Sequence, residues 1–172
     1  MEESMDKNQT RKRLPNPAAR CLAGLLVVMY IVQLAVSRAI GEDILYQQLA
    51  KWGEGIRTGE WWRLITYAIM HGSLLHLFLN AVSIFIVGTW MEMYEPGWKV
   101  VAVFVAGVFG GGMASYFLTP APMIGASPGA YGMFGAWLVY LMRFGERWKK
   151  LLWAATIICE IMISLGPGLD FY

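Results

Sequence analysis

The sequence predicts an all-α, polytopic membrane helix bundle, and three observations carry that expectation. Of 172 residues, 57% are hydrophobic and 15% charged, whereas a soluble domain carries about 25% charged residues. Mean hydropathy is +0.47. Apolar runs near the 20 residues needed to cross a bilayer recur along the chain. Sheet is excluded on the same runs, because a segment in lipid must satisfy its backbone within itself or in a closed barrel.

The elements follow in order. Residues 1–20 form a polar, charged tail, and residues 21–172 a transmembrane domain. The spans fall at about 21–40, 73–93, 100–118, 127–142 and 151–165. The connection from Gly41 to Arg63 is too charged to cross, and its Trp52, Trp61 and Trp62 suit the headgroup level. Lys and Arg placement sets orientation: with the N-terminus cytoplasmic, ten fall on the inner side against four outside (Arg38, Lys51, Arg57 and Arg63). A net charge of +2 gives no nucleic-acid-binding balance. Cys21 and Cys159 lie in apolar runs and offer neither a disulfide framework nor zinc spacing.

Polar residues inside spans are costly, so each is a functional candidate. They are His76, Asn80, Glu92, Ser127 and Glu160, with His71 at the start of the second span. His76 and Asn80, four apart, project from one helix face. That pair suits interhelical hydrogen bonding, and equally suits two donors aimed at a developing negative charge. Ser127 stands in Gly125-Ala126-Ser127-Pro128-Gly129, a literal G-x-S-x-G. The soluble hydrolase elbow with that pattern needs a preceding strand and an N–H after the serine, and Pro128 has none. Ser127 reads either as a helix N-cap or as a nucleophile beside the free N–H groups of a helix start. Gly129, Gly132 and Gly135 recur at every third position, as close helix packing requires. Glu160 reads as an inward-facing acid bonded to a neighbouring helix.

Three motifs in order, Gly59 to Thr66 (GEWWRLIT), His71 to Asn80 (HGSLLHLFLN) and Gly125 to Gly132 (GASPGAYG), resemble those of the rhomboid intramembrane serine proteases. The resemblance covers roughly Gly59 to Tyr172. It implies Ser127 as nucleophile, and an oxyanion hole from His76, Asn80 and the backbone N–H of Ser127. It implies supporting roles for Gly125, for Tyr131 packed on the catalytic histidine, for Trp62 and Arg63 in fixing the first outer loop, and for Glu92 at the inner end of the second helix. It implies peptide hydrolysis of transmembrane-helix substrates within a lipid bilayer, with no metal, cofactor or nucleic acid, at a bacterial plasma membrane. The family's base is a histidine on a sixth span, following a segment much like GPGLDFY. The chain as given stops there, with five spans of an expected six. The expectation is therefore a fragment or truncation, inactive as it stands. The competing reading is a non-catalytic rhomboid-like protein that binds transmembrane helices.

Overall fold

The structure, a computed structural model, describes residues 17–40 and 44–144. Helix α1 spans Ala18–Ile40. The connection after it folds into short helices α2 (Ile44–Leu49), α3 (Gly53–Arg57) and α4 (Arg63–Thr66), followed by a 3-10 turn at Tyr67–Ile69. Then come α5 (Leu74–Glu92), α6 (Gly97–Leu118) and α7 (Ser127–Phe144). No strand occurs among the described residues; the nearest feature is an isolated antiparallel bridge between Lys51 and Met123. The fifth expected span, Glu160 and Cys159 lie outside the described residues.

Local chemistry sets the helix ends. Ser73, in an extended conformation, caps α5 by accepting the His76 N–H on its hydroxyl at 3.1 Å. Pro96 stops anything continuing from α5 and stands immediately before α6, where its missing N–H costs nothing. Successive long helices alternate in direction. One end of the bundle therefore gathers the start of α1 with Glu92, and the other gathers the end of α6 with the start of α7.

Among the described residues, three helices are long and apolar enough to cross a membrane: α1, α5 and α6. Helix α7, with 18 residues, falls outside that group. Its Ser127, Gly129, Gly132, Gly135 and two tyrosines lower its hydropathy. It packs against both α5 and α6, so it needs less lipid-compatible surface. The core is a continuous apolar cluster including Leu77, Ile84, Phe104, Val108, Met133 and Trp137. Outward-facing residues are apolar too, such as Ile31 at 60% exposure, Phe78 at 59% and Phe117 at 72%. A surface of that kind suits hydrocarbon rather than water.

The closest helix contact is between α6 and α7. A Cβ on Gly107 would meet the Gly129 Cα at 3.1 Å and the Gly132 Cα at 3.2 Å. Glycine at these positions lets two backbones touch. The periodic stripe does not extend further: a Cβ on Gly135 would meet nothing within 4 Å. That corrects the expectation of one continuous packing face: at about 100° per residue, Gly135 lies about 120° round the helix from Gly129.

Candidate active site

Ser127 opens α7 and is half-buried. The Ala130 N–H donates to the Ala126 carbonyl at 3.1 Å, so the capping position falls on Ala126 and not on Ser127. Alanine has no side-chain oxygen with which to cap. The N-cap reading is thus replaced by one in which Ser127 is the first residue of the helix. First-turn N–H groups have no intrahelical acceptor, and Pro128 contributes none.

The segment leading to Ser127 is shaped around His76. Gly125 adopts φ +112°, in the left-handed region, and its N–H donates to the Tyr67 carbonyl at 3.0 Å. A Cβ there would lie 2.6 Å from both Cε1 and Nε2 of His76. The position thus demands glycine twice, for its conformation and for the imidazole seated against it. His76 is half-buried on the first turns of α5, and Asn80 is buried one turn further on. The Asn80 Nδ2 donates to the His76 carbonyl at 2.9 Å, which fixes the amide along its own helix.

His71 differs from expectation. Five residues before His76, it would lie about 140° round a continuous helix from it, but α5 begins only at Leu74. His71 therefore sits in the preceding bend, fully buried, with its ring centroid 5.1 Å from that of His76 in an edge-on arrangement. Burial, aided by the His76 ring, lowers its pKa to about 4, although the Ile69 carbonyl pulls the other way. Its backbone is held by a residue the sequence reading passed over. Gln33 of α1 donates from Nε2 to the His71 carbonyl at 3.0 Å and accepts the His71 N–H on Oε1 at 3.2 Å. The available signal was a lone amide in an otherwise apolar span.

Trp62 and Arg63 both hydrogen-bond back to the first connection. The Trp62 indole donates to the Gln48 carbonyl at 3.2 Å. Arg63, 3% exposed, donates to the carbonyls of Ala50 at 2.9 Å and Gln47 at 2.8 Å, and pairs with Glu60. Trp52, Trp61 and Trp62 all stand exposed. Tyr67 is buried and donates its hydroxyl to the Val108 carbonyl at 2.6 Å, and burial raises its pKa. Tyr131 lies one turn beyond Ser127, half-buried against the core. Glu92 is not part of this constellation. It lies sixteen residues beyond His76 on the same helix, about 24 Å away at 1.5 Å per residue. There one carboxyl oxygen accepts the Ala19 N–H at 2.8 Å. Glu92 thus caps the start of α1.

Among the described residues no group of three or more His, Cys, Asp or Glu side chains is placed to hold a metal. The candidate site places the His76 ring against Gly125, two residues before the Ser127 that opens α7, with Asn80 one turn beyond His76 on α5.

Comparison with known proteins gives the same family. The Rhomboid domain profile matches residues 58–170. The chain is 35% identical over 120 residues to "Rhomboid protease GluP" of Bacillus subtilis (strain 168), covering 69% of this chain and 23% of that protein. It is 28% identical over 144 residues to human "Rhomboid-related protein 3", covering 81% and 34%. It is also 31% identical over 117 residues to "Inactive RHOMBOID-like protein 8" of Arabidopsis thaliana, covering 64% and 33%. The chain thus spans 23% to 34% of the length of these relatives. With a profile match over well more than half its length and a bundle of apolar helices around the matched motifs, the chain is an integral membrane protein that belongs to the rhomboid family.

Proposed function

We propose that this chain forms the core of an intramembrane serine endopeptidase, with Ser127 as the nucleophile. The observation that carries the proposal is the His76 ring seated against Gly125, two residues before Ser127. That contact brings a donor-bearing helix to the start of the serine's helix. The Ser127 hydroxyl attacks a peptide carbonyl and gives its proton to the base; the oxygen that gains charge lies near His76, Asn80 and the Ser127 N–H, the tetrahedral intermediate collapses as the amine leaves with that proton, and water hydrolyses the resulting acyl-enzyme. Donors preorganised toward a developing oxyanion supply much of the rate in such chemistry. A serine hydroxyl also needs an adjacent base, and the resemblance assigns that role to a histidine on a further span. His71 does not take it, because it is buried behind His76 and its lowered pKa makes it a poor proton acceptor.

Substrates are transmembrane helices that unwind locally, since an intact helix does not expose its carbonyls to attack. The charge asymmetry supports a cytoplasmic N-terminus, with Ser127 opening toward the opposite face of a bacterial plasma membrane. The relative named as inactive supports a second reading, a rhomboid-like binder of transmembrane helices without chemistry.

The test uses the full-length protein in proteoliposomes with a single-pass substrate. Cleavage that Ser127→Ala abolishes supports the protease. Specific capture of the substrate without cleavage, unchanged by Ser127→Ala, supports the binder and overturns the protease.

A further inference from the structure

We propose that Lys51 is a positioning residue for Ser127: it clamps the α6–α7 connection to the first connection and so holds Gly125 and Ser127 against His76. The proposal rests on the protease reading above.

Lys51 lies in the loop before α3 and reads in the sequence as one more solvated cation of the outer side. In the structure it is fully buried. Its ammonium donates to the carbonyls of Ala121 at 2.7 Å, Thr119 at 3.1 Å and Ser115 at 3.4 Å. Lys carries three N–H donors and no acceptor, so all three are used. Its backbone N–H and carbonyl meanwhile exchange hydrogen bonds with Met123, both at 3.0 Å. One residue thus makes five hydrogen bonds to residues 115–123.

Electrostatics favour the arrangement. The carbonyl of Ser115 belongs to the last turn of α6 and that of Thr119 to the residue capping it, at the negative end of that helix. Burial pulls the Lys51 ammonium below its ordinary range, and the cluster of carbonyl oxygens works against that loss of charge. Removing the ammonium while leaving those carbonyls buried costs their desolvation.

Met123 and Ala126 pack on the core, but the segment that Lys51 holds makes few other hydrogen bonds between the helices that flank it. Residues 119–126, Thr-Pro-Ala-Pro-Met-Ile-Gly-Ala, contain two prolines that donate nothing. Apart from the Lys51 contacts and the helix-end bonds at its two termini (Thr119 N–H to the Ser115 carbonyl at 3.0 Å, Ala130 N–H to the Ala126 carbonyl at 3.1 Å), this segment is tied by the Gly125 N–H to the Tyr67 carbonyl at 3.0 Å, and internally by the Ala121 N–H to Thr119 Oγ1 at 3.3 Å. Both external ties come from the first connection, and both lie within eight residues of Ser127. Loss of the Lys51 tie frees the end of the segment distal to Tyr67, and any shift there passes through Gly125 to the serine. A misplacement of about 1 Å at a reacting group can cost about 100-fold in rate.

The experiment compares wild type, Lys51→Met and Lys51→Arg of the full-length protein in proteoliposomes. Hydrogen exchange is read at residues 119–126 and, as an internal control, at 77–92. Cleavage of a single-pass substrate is read as kcat and KM, normalised to the amount of Ser127 titrated by a fluorophosphonate. Expected for Lys51→Met is exchange at Met123, Ile124 and Gly125 faster by about tenfold or more, with the control segment unchanged. Its kcat falls about 10- to 100-fold at unchanged KM. Lys51→Arg, which keeps charge and donors, recovers part of both. Unchanged exchange in Lys51→Met overturns the clamp, and faster exchange with unchanged kcat overturns the positioning role. Where Lys51→Met exchanges everywhere and does not fold, a folded Lys51→Arg with slow exchange and wild-type kcat supports the proposal; with wild-type exchange but lost kcat, it overturns it. Wild type that neither cleaves nor takes the fluorophosphonate ends the protease reading, while the exchange comparison still decides whether Lys51 holds the segment.

Discussion

Lys51 and Glu92 are both fully buried, at opposite ends of the bundle, and each is placed against a helix terminus of opposite polarity. Lys51 meets the carbonyl end of α6, and Glu92 meets the N–H end of α1. The similarity stops there. At the Ser127 end, irregular segments are joined by backbone and side-chain hydrogen bonds: Lys51 to 115–123, Gly125 to Tyr67, Gln33 to His71. At the Glu92 end, helices dock through packing. A Cβ on Gly88 would lie 2.6 Å from the Ala19 Cβ, and Trp137 and Tyr140 stack with centroids 5.1 Å apart beside Tyr94. One end fixes positions to within a hydrogen bond; the other fixes the relation of whole helices. On the protease reading proposed above, changes at the first should therefore cost rate, and changes at the second should cost stability.

That contrast can be broken in four ways. Asn80→Ala carries the largest expected effect, a fall in kcat of about 10²–10³-fold, the usual cost of losing one oxyanion donor. Substrate cleavage by the reconstituted full-length protein checks it, and a loss under about threefold would remove Asn80 from the site. Gly125→Ala places a methyl group into the His76 ring at a backbone conformation that alanine resists. Its expected effect is a fall in kcat of about 100-fold, as a displaced catalytic group produces, while the helix content by circular dichroism stays at the wild-type level. Retention of wild-type kcat in a folded Gly125→Ala would mean that the His76 contact does not matter.

The third prediction tests whether the Ser127 end also contributes to stability. His71 has a folded pKa of about 4 against an ordinary 6.5. The unfolded state therefore binds more protons between these values, and stability falls as pH drops from about 6.5 through 4. The full loss is on the order of 3 kcal/mol. Thermal unfolding in detergent across that range should show the slope in wild type and a flatter profile in His71→Gln. Equal slopes would place the titrating group elsewhere. The smallest effect is at the other end. Glu92→Ala removes the cap of α1 and should lower stability by about 1 kcal/mol, with kcat per titrated Ser127 unchanged. A large change in kcat at constant stability would erase the distinction between the two ends.

Much of the site was legible in the sequence because its chemistry is local. Ser127 and its flanking Gly125 are contiguous, and His76 and Asn80 share a face by spacing alone. The place of His71 was not legible, because helical spacing holds only within a helix and α5 starts three residues later, at Leu74. Gln33, Lys51 and Ser73 escaped for different reasons. Ser73 carried a readable signal, a serine immediately before an apolar run. Gln33 carried a weaker one, as a single amide in a span. Lys51 carried none, since a lysine in a charged loop is ordinarily solvated.

The sequence by itself determined the class of solvent and hence the class of fold. Its hydropathy excludes an aqueous surface, and apolar runs of that length can satisfy their own backbone only as helices. It also determined which helix faces bear the polar residues, because periodicity is a property of the backbone. What the tertiary structure decided is everything that depends on distant segments meeting: Lys51 on the carbonyls of α6, Gln33 around His71, Glu92 on the first turn of α1, and His76 against Gly125. The physical reason is that hydrogen bonds between irregular segments leave no periodic trace. Their donors and acceptors are largely backbone groups, which every residue carries, so only their placement in space reveals the pairing.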